Sequence, residues 1–370
     1  MSPAQPPRRA LFHLAESLSI GAIGGALFTL AGFPAGWLAG AMLFTAIGAL
    51  AGRTILVPTS VARTFFIILG MSIGAVATPE TLKGMATWPI SIAMICIAMA
   101  CATAATVAYL RYVHGWHTHV AVLAGVPGAL TQVMVLATEY GVDLRGVAIV
   151  QTMRVVLLTL GLPAGLAALG MVGPVRLPVG SMAIADAPLE LAILVLTSTV
   201  AGLGLFRLGF SGGLIFGPML ASAVLHGTGF VHVTLPPWLI NTAMVTLGTV
   251  AGSRFTNTPF QLVIGYLGAA IGSFAVAVVV TAAFAIVVTL WLSLRVPAVV
   301  VAYAPGSVDV MMILALALRL DPVFVGAHHL ARVFVVSLAL PIVVRLTAGS
   351  VPHKVRHGDR RRPRSDGIDD

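Results

Sequence analysis

One long stretch of this chain occurs twice. Residues 127–163 read PGALTQVMVLATEYGVDLRGVAIVQTMRVVLLTLGLP, and residues 305–341 read PGSVDVMMILALALRLDPVFVGAHHLARVFVVSLALP. They align without a gap, pairing Pro127 and Gly128 with Pro305 and Gly306, Asp143 with Asp321, Arg154 with Arg332, and Pro163 with Pro341. Each copy places a proline-glycine break inside one apolar segment and a charge inside the next. An apolar segment tolerates either feature only where the freed polar groups find partners away from lipid, and paired breaks of this kind are how secondary-transporter cores are built.

Composition supplies the surroundings of that core. The chain is 58% hydrophobic and 9% charged over 370 residues, too apolar for the interior of a water-soluble fold. Apolar runs fall at 11–31, 34–51, 61–77, 86–110, 119–139 and 145–170, then at 187–206, 211–227, 237–253, 260–294, 298–318 and 323–347. Several approach the ~20 residues that cross a bilayer. The expected fold class is an all-α polytopic membrane protein with roughly 10–12 membrane segments. Much of the net charge of +9 sits in His353 to Arg364, which includes Arg360, Arg361, Arg362 and Arg364. That reads as a cytoplasmic, positive-inside tail able to touch anionic lipid, not as a nucleic-acid site. Cys96 and Cys101 lie five apart in one apolar run and read as small core residues. Arg8 and Arg9 precede the first run as in a signal sequence, but Glu16 lies within it and further spans follow, so an uncleaved first span is expected.

The duplication extends upstream. GFPAGWLAGAML at 32–43 matches GFSGGLIFGPML at 209–220, and Leu69, Gly70 and Gly74 match Leu247, Gly248 and Gly252. The expected organisation is a cytoplasmic N-terminus at 1–10, a membrane repeat at 11–175, a linker at 176–187, a second repeat at 188–348 and a basic cytoplasmic tail at 349–370. Glycines four apart, Gly36 with Gly40 and Gly213 with Gly217, let helix backbones approach closely. Pro34 and Gly217-Pro218 leave a second reading open, a broken helix near a solute. If every run spans, the halves are parallel and the short-loop Lys and Arg divide five against five. If the two Pro-Gly segments are re-entrant, the halves are inverted and the division is six inside against four outside, the direction of the positive-inside rule. Inverted repeats are therefore expected.

The breaks themselves are the first candidates for chemistry. Proline lacks a donor and glycine weakens a helix, so a new helix N-terminus opens after Pro127-Gly128, near Gln132, and after Pro305-Gly306, near Ser307 and Asp309. Uncapped N–H groups and the helix dipole suit an anion, whereas the Asp309 carboxylate would cap that terminus or hold a cation or proton. Gln151 lies three residues before Arg154, His329 three before Arg332 and His328 four before it, so each arginine shares a helix face with polar side chains. Glu139 and Asp309 are candidate acidic partners. Two readings stand: arginines gripping an anionic solute with His328 or His329 changing protonation, or structural ion pairs that lock the bundle. Asp321-Pro322 reads as an N-cap followed by proline, and Asp143 as its counterpart. His114, His117 and His119 have spacing that could suit a metal, but no matching ligands, and read as a surface loop. No P-loop, dinucleotide fingerprint, nucleophile elbow or zinc-protease motif occurs, so no cofactor is expected and the chain is not read as an enzyme.

The Gly36-Trp37-Leu38-Ala39-Gly40 piece, the run from Pro127-Gly128 through Arg154, and their second-half partners resemble the bacterial membrane AbrB family, also called the AbrB duplication family. The resemblance covers most of the chain apart from the tail. It implies a two-repeat protein of the bacterial inner membrane. Members carry the labels transcriptional regulator and ammonia monooxygenase, yet this sequence has neither a soluble DNA-binding domain nor a copper or iron ligand cluster. The overall plan is similar to that of the cation–proton antiporter and anion transporter superfamily, a likeness of fold only. The second copy departs from the first where Thr131 becomes Asp309 and Gln151 becomes His329, which points to the second half if only one half binds. The leading expectation is a secondary transporter of a small, anionic solute, with membrane lipid, a coupling proton or cation and a homo-oligomeric copy as partners. The alternatives are a membrane-bound regulator that does not touch DNA, and an integral-membrane enzyme.

Overall fold

The computed structural model describes residues 7–76, 88–128, 133, 136, 144–172, 187–210 and 212–348. Among these residues all regular structure is helical, in thirteen α-helices and one 3-10 turn. The first half holds α1 (Pro7–Leu30), α2 (Gly36–Leu50), α3 (Thr59–Gly74), α4 (Trp88–His114), α5 (Thr118–Gly125) and α6 (Leu144–Ala168). The second holds α7 (Pro188–Arg207), α8 (Gly213–Gly227), α9 (Pro237–Gly252), α10 (Phe260–Leu292), α11 (Val296–Tyr303), α12 (Val308–Ala317) and α13 (Pro322–Ala348). Six of them, α1, α4, α6, α7, α10 and α13, are long and apolar enough to cross a membrane.

The starts of these helices follow from local chemistry. α3, α9 and α10 begin directly after Pro58, Pro236 and Pro259, whose extended ψ near 140°, 148° and 135° cannot continue a preceding helix. α2 and α8 each begin after a residue in the left-handed region, Ala35 at φ 58° and Gly212 at φ 85°. α13 begins at the Asp321-Pro322 pair, where Asp321 Oδ1 accepts from the amides of Val323 and Phe324 at 3.0 and 3.1 Å, an N-cap. Two apolar runs are not single helices. The run at 298–318 divides into α11 and α12 around residues 304–307, and the run at 119–139 stops being described as one helix at Gly125.

Helix directions are read from which residues meet. Gly248 of α9 sits against Leu38 and Met42, and Gly252 against Met42 and Ala46, so α2 and α9 run parallel. Gly70 of α3 meets Ile215 and Pro218, and Gly74 meets Met219 and Ala223, so α3 and α8 also run parallel. Tyr109, late in α4, donates to the Gly268 carbonyl at 3.4 Å, early in α10, so these two are antiparallel. All three directions are those of the arrangement with re-entrant breaks, and opposite to those in which every run spans. Thr256 Oγ1 donates to the Ile55 carbonyl at 3.2 Å, which places both of these loops at one end of the bundle. Gly146, at the start of α6, lies against Trp116, at the end of α4. Phe324, at the start of α13, stacks edge-on with Trp88, at the start of α4, with centroids 5.5 Å apart. α6 thus begins at the end of the bundle where α4 finishes, and α13 begins at the end where α4 starts.

The spaced glycines serve close approach. α2 and α8 are continuous helices, α8 even through Pro218, so the broken-helix reading does not hold there. A Cβ at Gly40 would collide with the Gly24 carbonyl of α1, and one at Gly217 would lie 2.5 Å from Ala201 of α7. The α1–α2 and α7–α8 hairpins are thereby built alike. Gly40→Leu should therefore cost about 1–3 kcal/mol through forced overpacking. Gly161→Leu, whose added Cβ would meet nothing within 4 Å, should leave the detergent melting midpoint unmoved, and thermal denaturation of the two variants side by side checks both.

Candidate functional site at the meeting of two helix breaks

A helix that ends in a membrane leaves its last carbonyls without intrahelical partners, and lipid cannot replace them. α5 ends at Gly125, and the side chains of α6 answer it. Gln151 Nε2 donates to the Leu123 carbonyl at 2.7 Å, and Arg154 donates to the carbonyls of Ala124 at 3.1 Å and Gly125 at 3.3 Å. α11 ends at Tyr303, and α13 answers it in the same way. His329 Nε2 donates to the Val301 carbonyl at 3.2 Å, and Arg332 to the carbonyls of Ala304 at 3.0 Å and Gly306. Leu123 and Val301 occupy matching positions in the two copies, so Gln151 and His329 make the same bond twice over. The arginines differ in reach: Arg154 stops before its break, while Arg332 spans its own.

These contacts correct one expectation. Among the described residues the partners of Arg154 and Arg332 are backbone carbonyls and not the Asp309 carboxylate, while Glu139 lies outside the described residues. Both guanidiniums are buried, 3% and 1% exposed, and each keeps a buried Nε that makes no hydrogen bond. A cation at a helix C-terminus is favoured by the dipole as well as by hydrogen bonding.

The second copy has a deeper polar layer. Because the Phe324 carbonyl can only accept, His328 Nδ1 donates to it at 2.8 Å, and Nε2 pairs with Ser91 Oγ at 2.7 Å, a hydroxyl that also lies 3.0 Å from the Trp88 carbonyl. Tyr303 Oη donates to the Ser91 carbonyl at 2.6 Å and ties α11 to α4. His329 uses Nε2 on Val301 and leaves Nδ1 buried without a partner.

The two breaks meet. Gly128 has φ 82°, and a Cβ there would lie 2.9 Å from Arg332 Nη2 and 3.2 Å from the Gly306 carbonyl. Above them opens a cavity of about 540 Å³, a size suited to a small solute. Pro127, Gly128, Gln151, Arg154, Pro305, Gly306, Ser307 and Asp309 all line it, together with Arg254. His328, His329 and Arg332 do not, because they lie one layer behind, against carbonyls. Gln132 lies outside the described residues. The N-termini of α8 and α12 both touch the cavity, and neither Gly212 nor Ser307 provides a side-chain cap. Ser307 Oγ is buried without a hydrogen bond, and Asp309 feels the charge of Arg254. Phe66, Phe206, Leu214 and Ile215 make the apolar wall.

Among the described residues no cluster of His, Cys, Asp and Glu could hold a metal, and His117 and His119 stack on each other with centroids 5.9 Å apart. Cys96 and Cys101 are free thiols. In the sequence Arg254 reads only as a loop charge. Its signal was an asymmetry: Gly252 pairs with Gly74, so Arg254 stands where the first half has Val76.

Fold and site together define a helical protein of the multi-pass membrane type, organised around two interrupted helices that share one cavity. Residues 37–348 match the family described as transition state regulatory protein AbrB, and the chain belongs to that family. It is similar to a protein of Escherichia coli (strain K12) named "Putative regulator AbrB", being 26% identical over 327 residues that cover 87% of this chain and 92% of that protein.

Arg332→Gln should cost about 1.5–3 kcal/mol for each charged hydrogen bond it removes. Arg332→Lys, which keeps the charge but not the fork, should fall between the variant and the native chain when their melting midpoints in detergent are compared.

Proposed function

We propose that the chain is a secondary transporter of a small organic anion, working by alternating access around the paired breaks in a bacterial inner membrane, with its basic tail in the cytoplasm. The observation that carries this reading is the cavity: both breaks, Arg154 and two uncapped helix N-termini converge on one space inside a bundle of long apolar helices. Helix N-termini favour negative charge through their free N–H groups and their dipole. The helix directions support inverted repeats, which would present the same site to either side as the halves rock. Asp309 is the candidate for a coupling proton or cation, since it is the carboxylate that lines the cavity among the described residues. The role is transport and not catalysis, with surrounding lipid and a second copy of the chain as the other partners.

A second reading has its own support, in the regulatory names of the family and of the Escherichia coli protein. In that reading the chain alters gene expression from the membrane without holding DNA, and removing residues 349–370 should abolish the effect.

A thermal-shift screen of the detergent-purified chain against small carboxylates, sulfonates, amino acids and cations tests the transport reading. A ligand present at 100 times its Kd and selective for the native state adds about 2.7 kcal/mol of stability. An anion should raise the midpoint of the native chain, and Val336→Trp, which fills the cavity from α13, should erase that rise while remaining folded. No rise with any anion, or a rise that survives Val336→Trp, would turn the assignment toward the regulatory reading.

A further inference from the structure

α6 forms a wall of two cavities. Gln151, Arg154 and Val155 face the central one, while Arg145, Ala148, Ile149 and Thr152 face a second, of about 630 Å³, whose opposite side is the turn from Arg254 to Leu262. Arg254 is the residue that lines both. It sits in the 3-10 turn that follows α9, where the helix C-terminus favours a cation, and its side chain is exposed. The second cavity also carries Thr152, Asn257, Thr258 and Gln261, and no carboxylate lines it among the described residues. Asp309 attracts Arg254 from the central side.

We infer that Arg254 is a charge filter standing between an outer vestibule and the central cavity, through which a small anion with an apolar body passes by exchanging with Asp309 for the guanidinium. The polar rim of the vestibule and the net positive charge at the junction select the anion. The Phe66, Phe206, Leu214 and Ile215 wall beyond it accepts the apolar body. Because Arg254 faces Val76 across the internal alignment, the filter exists once and not twice, so the two ends of the pathway are chemically unequal. This inference rests on the transport reading for its purpose but not for its test.

The test reads access and not transport. Val333→Cys, which lines the central cavity, is placed in a chain carrying Cys96→Ala and Cys101→Ala. Its modification is timed with sulfonatoethyl methanethiosulfonate, an anion, and with trimethylammonioethyl methanethiosulfonate, a cation, each normalised to the neutral methyl reagent. The anion should react about 10-fold faster than the cation, the lower range of focusing by a charged cleft. Arg254→Gln should lower the ratio several-fold, Arg254→Lys should keep it, and Asp309→Asn should raise it. A native ratio near one, or a ratio unchanged in Arg254→Gln, overturns the filter. If Arg254→Gln no longer reacts with the neutral reagent, Asp309→Asn decides, and an unraised ratio overturns it equally. An anion-selective ratio that collapses in Arg254→Gln, found alongside no anion-induced melting shift, would keep the filter and remove the transport reading.

Discussion

The rest of the structure depends on how a helix can stop inside hydrocarbon. The last carbonyls of α5 and α11 have no helical partner, and each unsatisfied backbone group in lipid costs several kcal/mol. This chain answers with a forked cation and a second donor three residues before it on the neighbouring long helix. A guanidinium suits the task because it presents several donors in one plane and stays charged when buried. The arrangement also reverses the usual view of an intramembrane arginine. Its charge here neutralises the negative end of a half-helix, and of the pair only Arg154 also borders the open space.

Once the carboxyl ends of the half-helices are satisfied, their amino ends define what remains open. α12 starts into the cavity with no side-chain cap, and α8 does the same from a glycine in the left-handed region. The two copies have parted in detail around this shared plan. Gln151 and His329 hold matching carbonyls, but the histidine brings a buried free nitrogen and a neighbour, His328, bound to Ser91. Arg154 borders the open space, while Arg332 is fixed behind it, against both breaks. The first half thus lends its arginine to the cavity and the second half lends its helix terminus and its carboxylate.

Much of this was legible in the residues. The helix starts follow from Pro58, Pro236, Pro259 and Asp321-Pro322, because proline and short capping side chains act locally. The two breaks and the depth of the two arginines follow from the duplication. The partners of those arginines did not, because a backbone carbonyl leaves no mark on sequence, and the eye goes to carboxylates such as Asp309. The spaced glycines were ambiguous for a related reason: the residue that weakens a helix is also the residue that lets two helices touch, and only the neighbouring Gly24 and Ala201 backbones decide between them. Arg254 was hidden by its place in a loop, where an arginine ordinarily reports membrane orientation.

The reciprocal pairing of α2 with α9 and α3 with α8 has a consequence for biosynthesis. The helix that completes the buried face of α2 is made some two hundred residues after it, as Gly252 follows Gly40 and Thr45 down the chain. A ribosome delivering this protein therefore inserts a first half in which the Gly70 and Gly74 face of α3 and the Met42 and Thr45 face of α2 have nothing to rest on until the second half arrives. Such distant pairings are slow to close, and the waiting surfaces are open to wrong neighbours. For this chain the vulnerable interval of folding falls during translation, before α8 and α9 have left the translocation machinery.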